Sequence, residues 1–238
     1  LLHGYGLRAQ NWMGFARIEV GANTAMTGQG GGVGTGDRAG EMILVSPSAY
    51  TIYDGSMYSN SVTTGDWETF IADDLVSFID SHYRTITDRM SRGLAGHSMG
   101  GYGTLRIGMK RPDVFSALYP MSACCMLESG GPSDAMTVAG ELQTREDVAA
   151  LRYPNKSTLA RAAAWSPNPQ NPPFYSDLPT VDGVSRPEIQ AKWLANSPLA
   201  MIDQYTMNLR QYTAIQFDVG LADGLLGVNE QLDKLLTQ

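Results

Sequence analysis

Residues 96–100 read Gly-His-Ser-Met-Gly, and no other stretch constrains the fold of this chain as tightly. Gly93-Leu94-Ala95 in front of it is short and apolar. The residues behind it form a helical stretch that ends near Lys110, where Pro112 prevents continuation. A strand, a sharp turn and a helix are therefore expected in immediate succession. The turn must force unfavourable backbone angles on Ser98, and glycines on either side keep side chains out of the close approach between strand and helix. This Gly-x-Ser-x-Gly arrangement raises a serine hydroxyl above the end of a strand, where it can act as a nucleophile. In a chain holding 26 glycines the bare pattern also arises by chance. The strand before it and the helix after it separate Ser98 from a surface serine in a glycine-rich turn.

Strands and helices alternate along the rest of the chain, which predicts an α/β domain with a mostly parallel sheet and helices on both faces. Leu1-Leu2 reads as a strand end. Met42 to Val45, closed by Pro47, reads as a strand buried on both sides. Asp66 is the expected N-cap of a helix in which Ile71, Leu75, Phe78 and Ile79 recur at helical spacing until about Tyr83. Phe115 to Ser122 and Tyr212 to Val219 are two further expected strands, and Asn229 to Leu236 a closing helix. With 238 residues, 43% of them hydrophobic, the chain is long enough to bury one large core, so residues 1–238 are expected to form a single domain. Residues 127–210, rich in Pro, Asn and Ser, are the expected insertion or lid. Trp165, Phe174, Tyr175 and Trp193 within it either line a substrate site or form the insertion's own small core.

Two other stretches complete the chemistry expected around Ser98. His3-Gly4-Tyr5-Gly6 follows the first strand, at the position where a loop supplies one backbone N–H of an oxyanion hole; the other comes from the residue after the nucleophile. Tyr5 N–H and Met99 N–H are therefore the expected pair. The acid should follow the nucleophile in sequence and lie at a strand's end. That selects Asp223 in the turn Gly220-Leu221-Ala222-Asp223-Gly224, with Asp218, still inside the strand, as the second choice.

At these residues the chain resembles the esterase family of α/β-hydrolases that holds feruloyl and cinnamoyl esterases, S-formylglutathione hydrolases and mycobacterial mycolyltransferases. The matching pieces are Leu-Leu-His-Gly at 1–4, Met57-Tyr58-Ser59-Asn60-Ser61, Trp67-Glu68-Thr69-Phe70, the stretch from Gly93 to Gly103, and residues 218–223. Trp67 to Phe70 is especially similar to the mycolyltransferases; Leu7-Arg8-Ala9-Gln10 is similar too, displaced by two residues. The resemblance implies the α/β-hydrolase fold and a serine hydrolase that cleaves carboxylic esters through an acyl-enzyme on Ser98. Acyl transfer to a sugar hydroxyl and a catalytically inactive esterase-like binding protein are the alternatives it leaves open.

A serine nucleophile needs a base, and the family places its histidine after the acid. The chain has three histidines, none beyond Asp223. His3 falls in the oxyanion loop, where a structural role is expected. His97 is the variable position of the serine turn, and His82 lies at a helix C-terminus, where its charge is favourable. The expectation is therefore a fragment, cut at both ends, of a longer esterase whose catalytic histidine lies past Gln238.

Composition narrows the partners. A net charge of −7 with no run of Lys or Arg argues against nucleic acid or an anionic membrane surface and leaves a small neutral ester as the expected substrate, possible aromatic or sugar-linked forms included. No apolar stretch approaches the roughly 20 residues that span a bilayer, and Leu1 opens with no readable targeting segment, which leaves the compartment open. Cys124 and Cys125 are adjacent; they read as small buried hydrophobes, a disulfide between neighbours being strained, with a reactive pair as the alternative. Gly28 to Gly36 formally matches a dinucleotide-binding pattern but has no strand before it or helix after it, so a surface loop is expected. No metal site and no cofactor are expected.

Overall fold

A computed structural model describes residues 1–10 and 42–237. The Gly28 to Gly36 stretch lies outside the described residues. In chain order, a small hairpin of β1 (Asn60–Ser61) and β2 (Gly65–Asp66) leads into α1 (Trp67–Thr69), a π-helical stretch (Phe70–Asp74) and α2 (Leu75–His82). A short 3₁₀ turn (Arg89–Ser91) precedes β3 (Gly93–His97), α3 (Met99–Lys110) and β4 (Ala117–Met121). Helices α4 (Asp134–Glu141), α5 (Arg145–Ala150) and α6 (Asn155–Trp165) follow, then the hairpin β5 (Thr180–Val181) and β6 (Val184–Ser185). The chain continues through α7 (Pro187–Ala195), α8 (Pro198–Leu209), β7 (Ala214–Ile215) and α9 (Leu226–Leu236).

The sheet that positions the site is parallel in the order β3-β4-β7, with Gly93 to His97 facing Ala117 to Met121 in register. Leu2 bridges Gly96 in parallel on the other side of β3, and Asp218 bridges Met121 past the end of β7. Parallel strands here connect through helices, as right-handed crossovers require. Helix α3 is buried along its whole length from Met99 to Met109, and Leu105, Ile107 and Met109 are inaccessible to solvent. Full burial of such a side chain stabilises the fold by about 1.5–3 kcal/mol. This accounts for a helix that contains four glycines yet holds its form.

Three local expectations change. Met42 to Val45 forms no strand, and Met42 and Ile43 are about half exposed. Leu2 spends both its N–H and its C=O on β3, and among the described residues the stretch around Val45 gains the bond from the Leu1 amine to Val45 O, at 2.8 Å. Asp66 precedes the first helical residue, but its side chain makes no capping bond. The strand expected over Tyr212 to Val219 is laddered only at Ala214–Ile215 and again at Asp218, because it pairs on one side alone, with β4.

Residues 127–210 fold into helices α4 to α8 and the β5/β6 hairpin. The two tryptophans join the main core: Trp193 packs edge-on against Trp165 at 5.2 Å, and Trp165 lies 5.5 Å from Tyr102 of α3. Trp193 Nε1 donates to Ser166 Oγ at 2.9 Å, whereas Trp165 Nε1 is buried with no hydrogen-bond partner among the described residues. Tyr102 Oη donates to Asn196 O at 2.9 Å and Asn208 Nδ2 to Met109 O at 2.8 Å, which lace the segment to α3. A second, smaller core forms from Val148, Leu159, Ala160 and Ala163 with Tyr53, and Phe174 packs against it. No helix among the described residues is long and apolar enough to cross a membrane.

Candidate active site

Ser98 occupies the junction between β3 and α3 with φ 54° and ψ −112°. A left-handed φ at a non-glycine residue costs of order 1–3 kcal/mol and persists only where surrounding contacts over-determine it. Those contacts are backbone ones. Ser98 N–H donates to Met121 O at 2.9 Å, and Ser98 O accepts from Tyr102 N–H at 3.0 Å and from Cys124 N–H at 3.2 Å. The flanking glycines are required by space: a Cβ added at Gly96 would collide with the Gly100 backbone, and one at Gly100 with the Leu2 backbone.

Tyr5 and Met99 are brought to the same place, since a Cβ at Gly55 would touch both the Met99 sulfur and the Tyr5 ring. Met99 is the first residue of α3, so its N–H has no acceptor within the helix. Neither Met99 N–H nor Tyr5 N–H donates a backbone bond to any described residue, whereas Gly6 N–H next door binds Asp54 O at 3.0 Å. The Tyr5 hydroxyl is tied to Tyr53 O at 2.7 Å, holding the loop, and burial pushes its phenol far above the ordinary range.

The acid candidates lie at the ends of the neighbouring strands. Asp223 Oδ1 accepts Leu225 N–H at 2.9 Å. That bond first, then one from the Ser122 hydroxyl, hold the carboxyl below its usual value. Asp218 accepts the Tyr119 hydroxyl and is exposed. His97, half-buried, feels both carboxylates, Asp223 more strongly; burial nevertheless lowers its pKa below the ordinary imidazole value.

The remaining histidines are committed elsewhere. His3 is buried, its Nε2 accepts Ala49 N–H at 2.8 Å, and its Nδ1 therefore carries the proton and donates to Gly4 O at 2.8 Å. Both ring nitrogens are used, and burial lowers the pKa. His82 stacks on Phe78 at 4.1 Å and bonds Phe78 O at the C-terminus of α2.

Sequence patterns did not single out Ser122, which carries φ 40° and links the acid candidates, its N–H donating to Asp218 O at 2.8 Å and its hydroxyl to Asp223. Nor did they single out Tyr153, three-quarters exposed with its ring 6.1 Å from that of Tyr5. The expectation of buried cysteines fails: Cys124 and Cys125 are half-buried and free, in the loop following β4. An apolar groove of about 910 Å³ along Leu1, Val45, Ile79 and Gly93 contains none of Tyr5, Ser98, Met99 and Asp223. Among the described residues no three His, Cys, Asp or Glu side chains converge as metal ligands would.

Ser98, Tyr5, Met99 and Asp223 thus share the carboxyl end of the parallel strands, where open α/β sheets bind their ligands. The chain is similar over its whole length to known structures. A ferulic acid esterase is 21% identical with TM-score 0.57, aligned over 99% of this chain and 70% of that one. The fluorophosphonate-binding serine hydrolase F of Staphylococcus aureus is 17% identical with TM-score 0.57, aligned over 99% and 69%. These likenesses give the α/β-hydrolase fold. Among curated proteins, an endo-1,4-beta-xylanase/feruloyl esterase of Xylanibacter ruminicola is 38% identical over 53 residues, which are 22% of this chain and 7% of that protein. An esterase of Mycobacterium tuberculosis is 39% identical over 57 residues, 22% of this chain and 12% of that one. Each match thus spans a small part of the relative's length. Residues 50–237 match the profile of the Esterase family, described as "Putative esterase", and the chain belongs to that family.

Proposed function

We propose that this chain carries the acyl-transfer machinery of a serine esterase that hydrolyses small carboxylic esters. Ser98 Oγ attacks the ester carbonyl and the negative charge gathers on its oxygen. Tyr5 N–H and Met99 N–H hold that oxygen, each such donor being worth about 2.7–4 kcal/mol of barrier. The alcohol leaves, and water resolves the acyl-enzyme. Asp223 orients the imidazole that shuttles the proton. The observation that carries this reading is Ser98 itself, held at φ 54° beside two N–H groups with no backbone acceptor among the described residues.

The imidazole is proposed to come from chain beyond these 238 residues, because His3 has both nitrogens bonded and His82 lies at the end of α2. A fluorophosphonate probe applied to the complete polypeptide is expected to label Ser98, and Ser98→Ala to abolish labelling. Equal labelling of the variant would refute the assignment. His97→Gln separates the two sources of a base: retained labelling supports an imidazole from outside these residues, and its loss makes His97 the base.

The acyl group is proposed to be aromatic. Tyr5, Tyr53 and the exposed Tyr153 gather beside the oxyanion loop, and both the xylanase/feruloyl esterase and the ferulic acid esterase are named for an aromatic ester. A higher kcat/KM for methyl ferulate than for methyl butyrate is the expected result; the reverse order would remove the aromatic preference and leave the esterase reading intact.

A further inference from the structure

The loop that leaves β4 runs Ser122-Ala123-Cys124-Cys125-Met126 directly behind the serine turn. Cys124 and Cys125 are both free, and their sulfurs lie 2.7 Å apart. Cys125 has φ 60° and Ser122 φ 40°, so the loop is bent to bring adjacent side chains to one side. Neither residue is sealed in the core, and both pack against its rim. Cys124 N–H donates to Ser98 O at 3.2 Å, Ser98 N–H donates to Met121 O, and Asn229 Nδ2 holds Ala123 O at 3.0 Å. The dithiol and the nucleophile turn are therefore joined through the backbone hydrogen bond from Cys124 N–H to Ser98 O.

We propose that Cys124 and Cys125 are a reversible dithiol–disulfide modification site, oxidised by peroxides and sensed at Ser98 through the Cys124 N–H. The pair's existence rests on the geometry of the loop; its effect on catalysis rests on the esterase reading above. The chemistry balances in two steps. One of the two sulfurs attacks the peroxide oxygen, the O–O bond breaks, and a sulfenic acid and one water (or alcohol) form. The other sulfur then displaces the sulfenic hydroxyl, forming the S–S bond and releasing a second water. Two electrons pass from the two sulfurs to the peroxide.

The thiol–thiol contact keeps the pair largely protonated until an oxidant arrives. The hydrogen bond with Cys124, then burial, hold the Cys125 thiol well above its ordinary pKa, and the thiolate is the reactive form. Adjacent Cα atoms are about 3.8 Å apart across a trans peptide, closer than the usual span of about 4.4–6.8 Å for a disulfide. A disulfide closed over that distance is strained and readily reduced, as a reversible switch requires. Closing its ring turns the backbone torsions on both sides of the Cys124 Cα, and the shift of Cys124 that accompanies this loosens the bond from its N–H to Ser98 O.

The test treats the complete polypeptide with hydrogen peroxide, blocks remaining thiols with iodoacetamide, and analyses the peptide holding both cysteines by mass spectrometry. The expected product carries no alkyl group, has lost two hydrogens, and becomes doubly alkylated after dithiothreitol and a second treatment with iodoacetamide. Recovery of two alkylated thiols, or of sulfinic acid at either position, would overturn the proposal. Amide hydrogen exchange in the peptides spanning residues 98–102 and 121–126 should quicken on oxidation; unchanged exchange would overturn the link to Ser98 whatever the catalytic role. Fluorophosphonate labelling of Ser98 should fall at least severalfold on oxidation and recover on reduction. Cys125→Ser and Cys125→Ala should keep full labelling in reducing buffer and lose the recoverable inhibition. If the reduced protein fails to label at all, the esterase reading fails, and mass and exchange still decide the dithiol.

Discussion

The serine turn and the 127–210 segment are both dense with conspicuous residues, and they differ in how those residues are placed. Around Ser98 every determining contact is a backbone bond or a glycine forced by a neighbouring backbone, within a few residues of a strand end. In the segment, the conspicuous aromatics are placed by side-chain packing: Trp165 against Tyr102, Trp193 against Trp165, and Phe174 against the core around Tyr53. Local backbone geometry is legible as a motif. The direction a tryptophan faces is set by whatever surface the rest of the chain happens to present.

The largest expected effect breaks the chemistry and spares the fold. Ser98→Ala should lower kcat by about 10⁶-fold, as loss of the nucleophile does in a comparable triad. Its denaturant midpoint should stay near that of the parent, since the bonds at this residue are made by its backbone. A variant that unfolded instead would show that the hydroxyl holds the turn. The converse applies to the segment: Trp193→Ala should cost about 3–5 kcal/mol in urea unfolding. A loss below about 1 kcal/mol would mean that the segment is not part of the main core.

Gly100→Ala sharpens the contrast because it overpacks the turn against Leu2. A loss of about 1–3 kcal/mol is expected, together with reduced fluorophosphonate labelling. Tyr153→Ala, at an exposed ring on the same segment as Trp193, should leave stability within about 0.5 kcal/mol. Its kcat/KM for an aromatic ester should fall by the roughly 0.5–1.5 kcal/mol that ring contacts contribute, with less change for an aliphatic one.

The smallest effect concerns pH. His3 and His97 both have pKa values lowered by burial, so on acidification the unfolded chain takes up their protons first. Stability should be level above pH of about 6.5, the unperturbed imidazole value, and decline as pH falls below it. For His3, protonating Nε2 also removes the acceptor of Ala49 N–H. His3→Gln should flatten part of this decline in thermal melts, and His97→Gln the rest; an unaltered profile in both would mean that other groups govern it.

Much of this protein was open to reading in one dimension. The strand, turn and helix around Ser98, the loop at Tyr5, the turn at Asp223, and the parallel α/β pattern follow from apolar spacing, glycine positions and chain order, because backbone sterics act between near neighbours. What the sequence could not decide was which faces meet. Only the tertiary structure leaves Met42 and Ile43 without a ladder, turns Trp165 and Trp193 into the main core, and exposes Tyr153 beside Tyr5. The same folding gives His3 a partner on each ring nitrogen and lays Cys124 and Cys125 sulfur to sulfur behind the Ser98 carbonyl. These are contacts between residues distant along the chain, or between side chains whose direction the backbone of one short loop fixes, and hydrophobic burial alone is indifferent to which of them forms.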